Sequence, residues 1–219
     1  LMLPHAAESL AGRMEILSLH PLAQGEIVSA KPIFVPSLFG NAPQPLIDSA
    51  QGTARRNKQS RRGASLAERI ATGGYPEVLH RPRADRRRAW FDAYVTTITQ
   101  RDIRELSNIS DLTAMPRLLG LLAVRSGALL NVAELARTSG VSQATLHRYL
   151  TLLEASFLFQ PLPAWHANLG KRLIKAPKAY LLDSGLACAI SGVDPTTLAQ
   201  ASHFGGLLET FVLGEVRRE

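Results

Sequence analysis

Cysteine is nearly absent from this sequence: Cys188 is the only one among 219 residues. A single cysteine cannot form a disulfide within one chain, and this usage is typical of proteins in the reducing cytoplasm. No apolar run approaches the ~18 residues of a membrane-spanning helix, and the first residues lack the basic and apolar regions of a signal peptide. We therefore expect a soluble, cytoplasmic protein with no membrane partner. Because Leu1 is not an initiator methionine, we also expect a fragment of a longer protein.

Complete catalytic and metal-binding patterns are lacking too. The six histidines are scattered, and no two of them stand at ligand spacing beside a carboxylate or thiol. The sequence has no nucleophile-elbow motif and no G-x-x-x-x-G-K-[ST] phosphate loop, so Gly73 and Gly74 cannot be assigned to a nucleotide. Asp183 and Glu209 are the acids whose contexts look more than solvated, but two carboxylates without a lysine partner do not make a nuclease site. We predict no catalytic residue and no metal site.

Positive charge is abundant and unevenly distributed, within a net charge of +7. Between Arg55 and Arg88 there are eleven basic and three acidic residues, whereas the rest of the chain is close to neutral. A focused basic segment is a candidate phosphate-binding surface, because neutralised phosphates release counterions. For the run from Arg55 to Arg62 we favour a solvated loop instead.

The stretch from Leu130 to Phe157 has the pattern of two short helices joined by a tight turn. Gly140 tolerates the positive φ that a turn requires, and Ser142 stands where an N-cap residue belongs. In the second helix, apolar residues recur at spacings of three and four, which gathers them on one side. These residues are Leu146, Tyr149, Leu150 and Leu153.

The opposite side of that second helix is the first candidate binding surface. It carries Ala144, His147, Arg148 and Thr151. A small residue, a cation, a titratable imidazole and a hydroxyl suit the groove of a nucleic acid. The same motif also serves as a protein-docking unit, because its apolar face specifies the fold and not the partner. Both interpretations stay open.

Two predicted strands follow this helix pair and form a wing. They cover Phe157 to Leu162 and Ala179 to Leu182, with a predicted loop containing residues 168–172 between them. The cations in or beside the wing are Lys171, Arg172, Lys175 and Lys178. No acidic residue follows them in the chain before Asp183, so we predict that they contact a phosphate backbone.

Helices dominate the remaining predictions. We predict helices at residues 65–71 with Ser65 as cap, at 85–106, at 111–124, after Asp183 or Ser184, and at 207–216, with a helix start at Gln24. The apolar residues between Leu10 and Leu19 predict a buried strand. The fold class is therefore mainly α with a small β component: a helical bundle with a winged helix-turn-helix.

Six segments in order along the chain also carry a family resemblance. They are LAGRMEILSLHPLAQGEI, GGYPEVL, the W-F-x-x-Y helix followed by RDI, LLNVAELARTSGVSQATLHRYLTLLEASF, KRLIKAPKAYLLDSGL and GGLLETFVLGE. Together they resemble a prokaryotic family of AAA-type ATP-binding proteins with a C-terminal domain of unknown function. The resemblance implies that ATP and magnesium are bound by the parent protein, through a phosphate loop and an acidic site upstream of Leu1. We expect no cofactor in this fragment. The resemblance allows Arg13 a role near the nucleotide or in packing of the ATPase core, and we favour packing.

The resemblance also implies a domain order. It comprises the tail of an ATPase core (1–30), a Pro/Arg-rich linker (31–64), a helical region (65–128), a winged helix-turn-helix (129–182) and the start of a truncated nuclease-like α/β domain (183–219). Glu209 matches the acidic residue on the first helix of that last domain. The D…E-x-K half of such a site would lie beyond Glu219, so nuclease chemistry is not expected in this fragment.

Three functions are compatible with these patterns. The leading hypothesis is a fragment of an AAA-type ATP-binding protein whose winged helix binds DNA or docks on the ATPase core of the same protein. The second hypothesis is an independent DNA-binding transcriptional regulator. The third is an interaction domain whose winged helix packs against the ATPase core and contacts no DNA.

Overall fold

The computed structural model describes residues 17–30, 64–103 and 112–218, and these form mainly helices with one two-stranded sheet. The predicted fold class, mainly α with a small β component, is confirmed at that level. The helices are α1 (Gln24–Ile27), α2 (Leu66–Thr72), α3 (Pro76–Leu79), α4 (Ala84–Thr97), α5 (Met115–Val124), α6 (Val132–Ser139), α7 (Gln143–Ala155), α8 (Leu169–Ile174), α9 (Ser184–Ser191) and α10 (Phe204–Arg217). A π-helix (Ile98–Asp102) continues α4, and a 3-10 helix (Leu198–Gln200) precedes α10. The strands are β1 (Phe159–Leu162) and β2 (Lys178–Leu181).

Some predictions fall outside the described residues. These are the Pro/Arg-rich linker with its arginine run, the packing role of Arg13, the first part of the predicted strand and the last residues of the helix predicted at 85–106. The prediction of a buried strand is wrong for the residues that are described, because Leu17 and Leu19 are in coil and are 77% and 91% exposed. Apolar sequence alone does not bury a strand, which needs a neighbour to pair with and a layer to pack on.

Helix α9 lies at the centre of the core, where it packs against α2, α4, α5 and α10. Its first five residues are all buried, and most of them are small. Small side chains let neighbouring helices approach from several sides. A Cβ at Gly185 would lie 2.5 Å from the carbonyl oxygen of Thr72, so the end of α2 rests directly on the start of α9.

Asp183 ties this centre to the loop after α2. Its side chain is 2% exposed and caps α9 by accepting from the Leu186 amide at 3.0 Å. It also accepts from the Gly74 amide at 2.8 Å, across 109 residues of sequence. Burial raises the pKa of Asp183, and these backbone hydrogen bonds oppose the rise. The acid that looked more than solvated in the sequence is therefore a packing and capping group.

The stretch from Leu130 to Phe157 folds as predicted into two helices joined by a tight turn, α6 and α7. Gly140 between them has φ of 78° in the left-handed region. The Ser142 hydroxyl accepts from the Thr145 amide at 3.1 Å and so caps α7. The predicted apolar residues of α7 are all buried: Leu146, Tyr149, Leu150 and Leu153.

Strands β1 and β2 pair antiparallel, with Phe159 opposite Leu181 and Leu162 opposite Lys178. The other edge of β2 bonds to the segment before α6, since the Gly127 amide donates to the Ala179 carbonyl at 2.8 Å. The predicted loop between the strands is wrong in part, because it contains α8. The Asn168 side chain caps this helix by accepting from the Lys171 amide at 3.1 Å. Six helical residues including Gly170 are too few to show a clear periodic pattern.

Candidate nucleic-acid interface

The four residues predicted on the outer side of α7 form one exposed surface. Ala144, His147, Arg148 and Thr151 are all exposed, and the intervening apolar positions face the core. The Thr151 hydroxyl donates to the His147 carbonyl at 3.0 Å, within the helix itself. The structure thus brings these four side chains together on a face that a partner can reach.

Three further exposed residues lie on the two helices. Gln143 is the first residue of α7, Arg137 lies on α6, and Glu154 lies near the end of α7. Gln143 and Arg137 were not predicted as contacts, although the helical spacing of the apolar residues in α6 and α7 could have predicted that both are exposed. Glu154 follows His147 by seven residues, which places one carboxylate on the same side near the C-terminal end of the helix.

The four predicted wing cations have different environments. Lys178 forms an ion pair with Glu209, so the expectation that these cations have no nearby acid is wrong for Lys178. The acid lies on α10, 31 residues later in the chain, where a local reading does not find it. Glu209 also accepts from the Tyr180 hydroxyl at 2.5 Å. Burial raises the pKa of Glu209, but hydrogen bonds from Lys178 and Tyr180 lower it more, and it lies below its ordinary value.

Arg172 supports the backbone of the segment between the strands. Its Nε and one terminal guanidinium nitrogen donate to the His166 carbonyl at 3.1 and 2.9 Å. Lys171 and Lys175 are exposed, and neither makes an ion pair within the part of the chain that the structure describes. Of the predicted cations, Lys171 and Lys175 are therefore the ones most available to a phosphate.

A family described as a domain of unknown function (DUF8612) matches residues 63–197 of this chain. The chain belongs to the DUF8612 family. The matched DUF8612 region contains α2 to α9, both strands and all eight predicted contact residues, whereas Glu209 lies beyond it.

Two mycobacterial proteins are similar to the chain over nearly its whole length. They are the uncharacterized protein Mb2031c of Mycobacterium bovis and the uncharacterized protein Rv2008c of Mycobacterium tuberculosis, each 30% identical over 213 residues. The alignment covers 96% of this chain and 40% of each relative. The chain thus spans about two fifths of the length of these relatives. No solved structure matches it.

The described part of the DUF8612 chain offers little evidence for a metal site, a reactive thiol or a membrane-spanning helix. Its histidines, cysteine and acids include no group of three that could hold a metal ion. Cys188 is buried, and burial raises the pKa of its thiol to about 12, which keeps the thiol protonated and unreactive. None of the helices in residues 17–30, 64–103 and 112–218 combines the length and apolarity that crossing a membrane requires.

Proposed function

We propose that this chain is a nucleic-acid-binding module that uses a winged helix, and that it forms part of an AAA-type ATP-binding protein. One observation carries the proposal. The exposed face of α7 is followed directly by a hairpin that bears Lys171 and Lys175, and the sequence has no acidic residue between Ala155 and Leu182. An exposed helix face followed by a segment that carries cations and no acidic residue of its own suits base edges and phosphates together.

The order of elements supports the winged-helix interpretation. Helix α5 is followed by a short segment at 127–130, then by α6 and α7, and then by the two strands. This segment bonds to β2, with Leu129 in an isolated bridge to Lys178, and β2 in turn pairs with β1. These bonds attach the hairpin to α6 and α7, the two helices that would bind in a DNA groove.

Contacts to DNA can be assigned from the exposed residues. The N-terminal residues of a recognition helix face base edges, and a glutamine amide such as that of Gln143 can bond an adenine in two places. Arg148 supplies a cation one turn further along α7. In this proposal Arg137 on the preceding helix and Lys171 on the hairpin contact phosphates, which position a protein on DNA without reading its sequence.

The ATP-binding parent is supported by the resemblance of the quoted segments and by the fraction of the relatives that the chain spans. In this proposal ATP and magnesium belong to parts of the protein upstream of Leu1, and Glu209 belongs to the start of a nuclease-like region. The ion pair of Glu209 with Lys178 gives it a structural task in the present chain, joining α10 to the hairpin.

Binding of several labelled DNA duplexes of different defined sequence, at several salt concentrations, tests the nucleic-acid proposal. We expect Arg148→Ala to weaken binding of the most tightly bound duplex by about 5- to 150-fold, the range of a lost base contact. Lys171→Ala should reduce the slope of log affinity against log salt by about 0.9, the effect of one phosphate contact. Arg117→Ala on α5 removes the same charge from an exposed arginine outside the basic segment between Arg55 and Arg88, and it should change little.

The outcomes separate the competing functions. A marked preference for one sequence among duplexes would favour an independent regulator, whereas binding that depends only on salt would favour a phosphate-contacting module. If Arg148→Ala and Lys171→Ala leave affinity unchanged, or if the chain binds no nucleic acid, the proposal fails and docking on the ATPase core becomes the better explanation.

A further inference from the structure

The segment between the two strands projects from one end of the sheet and carries two exposed apolar side chains. It leaves the sheet at Leu162 and returns at Lys178, and these two residues are cross-strand partners. Trp165 is 82% exposed and Ile174 is 83% exposed. Single exposed apolar residues are common on proteins, but here two of them share a projection whose ends lie side by side.

The backbone of this projection is held in place. The Asn168 amide donates to His166 Nδ1 at 3.0 Å, and Arg172 donates twice to the His166 carbonyl. Asn168 also caps α8. Trp165 directly precedes His166, so its backbone adjoins these hydrogen bonds. A tryptophan side chain has only two rotatable bonds and gives up little conformational entropy on binding.

The cations nearby favour one kind of partner. Lys171 and Ile174 are three residues apart on α8, which places them on one side of that helix, and Lys175 follows. An exposed apolar ring shares this segment with ammonium groups that form no ion pair within the described residues, and the combination matches the stacked faces and phosphates of a nucleic acid. An intact duplex hides the faces of its bases except at its two terminal pairs, so an unpaired base offers an aromatic ring a stacking face that the paired bases do not.

We propose that Trp165 stacks on an unpaired base of a nucleic acid, with Ile174 packed beside it and Lys171 and Lys175 on the adjoining phosphates. This inference rests on the proposed function, in which α7 holds the neighbouring duplex. The preferred ligand is a duplex with a single-stranded extension, and the projection is the part of the chain that distinguishes it from a fully paired duplex.

Competition between matched DNA ligands tests this preference. The probes are a labelled duplex, the same duplex with a three-nucleotide single-stranded extension, and the extension strand alone. We expect the 219-residue chain to bind the extended duplex more tightly than the blunt one. Trp165→Ala should weaken binding of the extended duplex by about 5- to 150-fold and alter binding of the blunt duplex less than twofold. Trp165→Phe should retain most of the preference, and Val212→Ala, an exposed apolar change on α10, should retain all of it.

Fluorescence gives a second readout of stacking. The chain has two tryptophans, and Trp90 is stacked on Tyr94 with ring centroids 4.9 Å apart. In the Trp90→Phe variant, Trp165 is the sole tryptophan. Its emission should be quenched by the extended duplex and much less by the blunt one. Circular dichroism of each variant reports whether the fold is retained.

The outcomes are distinguishable from those of the proposed function. If the chain binds no DNA, both proposals fail. If it binds both duplexes equally and Trp165→Ala changes neither, the stacking proposal is wrong and the proposed function stands. Binding to anionic lipid vesicles that is lost in Trp165→Ala, without a preference for the extended duplex, would assign the projection to a membrane surface and overturn the stacking proposal.

Discussion

At Gly74 the chain passes so close to Leu22 that a Cβ would lie 2.1 Å from the Leu22 carbonyl oxygen. The preceding glycine has φ of 68°, and its Cβ would lie 2.0 Å from the Asp183 carboxylate. The two glycines predict a helix stop correctly, because glycine tolerates the left-handed region. The structure shows a second requirement for glycine, which is close contact with distant segments. Leu22 lies about 50 residues before these glycines and Asp183 about 110 residues after them, and both bond to Gly74.

Gly74→Ala should therefore destabilise the protein by several kcal/mol, at the upper end of single-residue effects, since backbone atoms must move to admit the methyl group. Gly120→Ala is the matched control. Gly120 lies within α5 and its Cβ would meet nothing within 4 Å, so alanine should stabilise by about 0.5–1 kcal/mol through helix propensity. Urea unfolding of both variants measures the difference. Equal effects in the two variants would contradict the close approach at Gly74.

At the scale of secondary structure, α6 and α7 were predictable because their signals are local. A left-handed glycine, a serine cap and apolar spacing of three and four all lie within 28 residues, and each has the predicted role in the structure. Helix α8 was missed because a cap and six residues carry too little periodic signal. The buried strand predicted to include Leu17 and Leu19 is wrong for a different reason: burial depends on a partner element, and both side chains are exposed.

The cap of α7 gives a prediction at this scale. Ser142→Ala removes the acceptor for the Thr145 amide and should cost about 1 kcal/mol of stability. Ser142→Asn should restore most of it, because an asparagine side chain caps equally well. Chemical denaturation monitored by circular dichroism measures both variants. If Ser142→Asn is as unstable as Ser142→Ala, the hydroxyl acts through some contact other than the cap.

Over the whole molecule, α10 holds the hairpin and the N-terminal segment onto the core. Glu209 bonds Lys178 and Tyr180 on β2, and the Thr210 hydroxyl lies 2.7 Å from the Ser126 hydroxyl. At the other end of α10, Glu215 accepts from the Gln24 amide at 2.8 Å. The hairpin that carries the proposed contacts is thus attached to a helix that also contacts the N-terminal segment at Gln24.

The contact of Glu209 predicts a pH dependence of stability. The folded-state pKa of Glu209 lies below its ordinary value, so its contribution is present above about pH 4.3, the ordinary glutamate value, and is lost as pH falls through the folded pKa. Glu209→Gln should therefore be less stable than the native chain at about pH 7, with the difference shrinking at about pH 3.5. Urea unfolding at both pH values measures it.

Glu154→Gln, at an exposed glutamate on α7, controls for the loss of one carboxylate in that experiment. The free energy of unfolding of Glu154→Gln, relative to the native chain, should not show the pH-dependent loss expected for Glu209→Gln. A Glu209→Gln difference that is the same at both pH values would contradict the proposed effect of the Lys178 and Tyr180 hydrogen bonds.

Local pattern was sufficient for the fold class, the helix pair, its caps and the exposed face of α7, because helix periodicity, capping and turn chemistry act over a few residues. The partners of Lys178, the burial of Asp183 and the projection bearing Trp165 arise only when distant segments meet. Electrostatics and close packing depend on distance in space, and residues 31 or 109 positions apart in the chain come within hydrogen-bonding reach only in the folded protein.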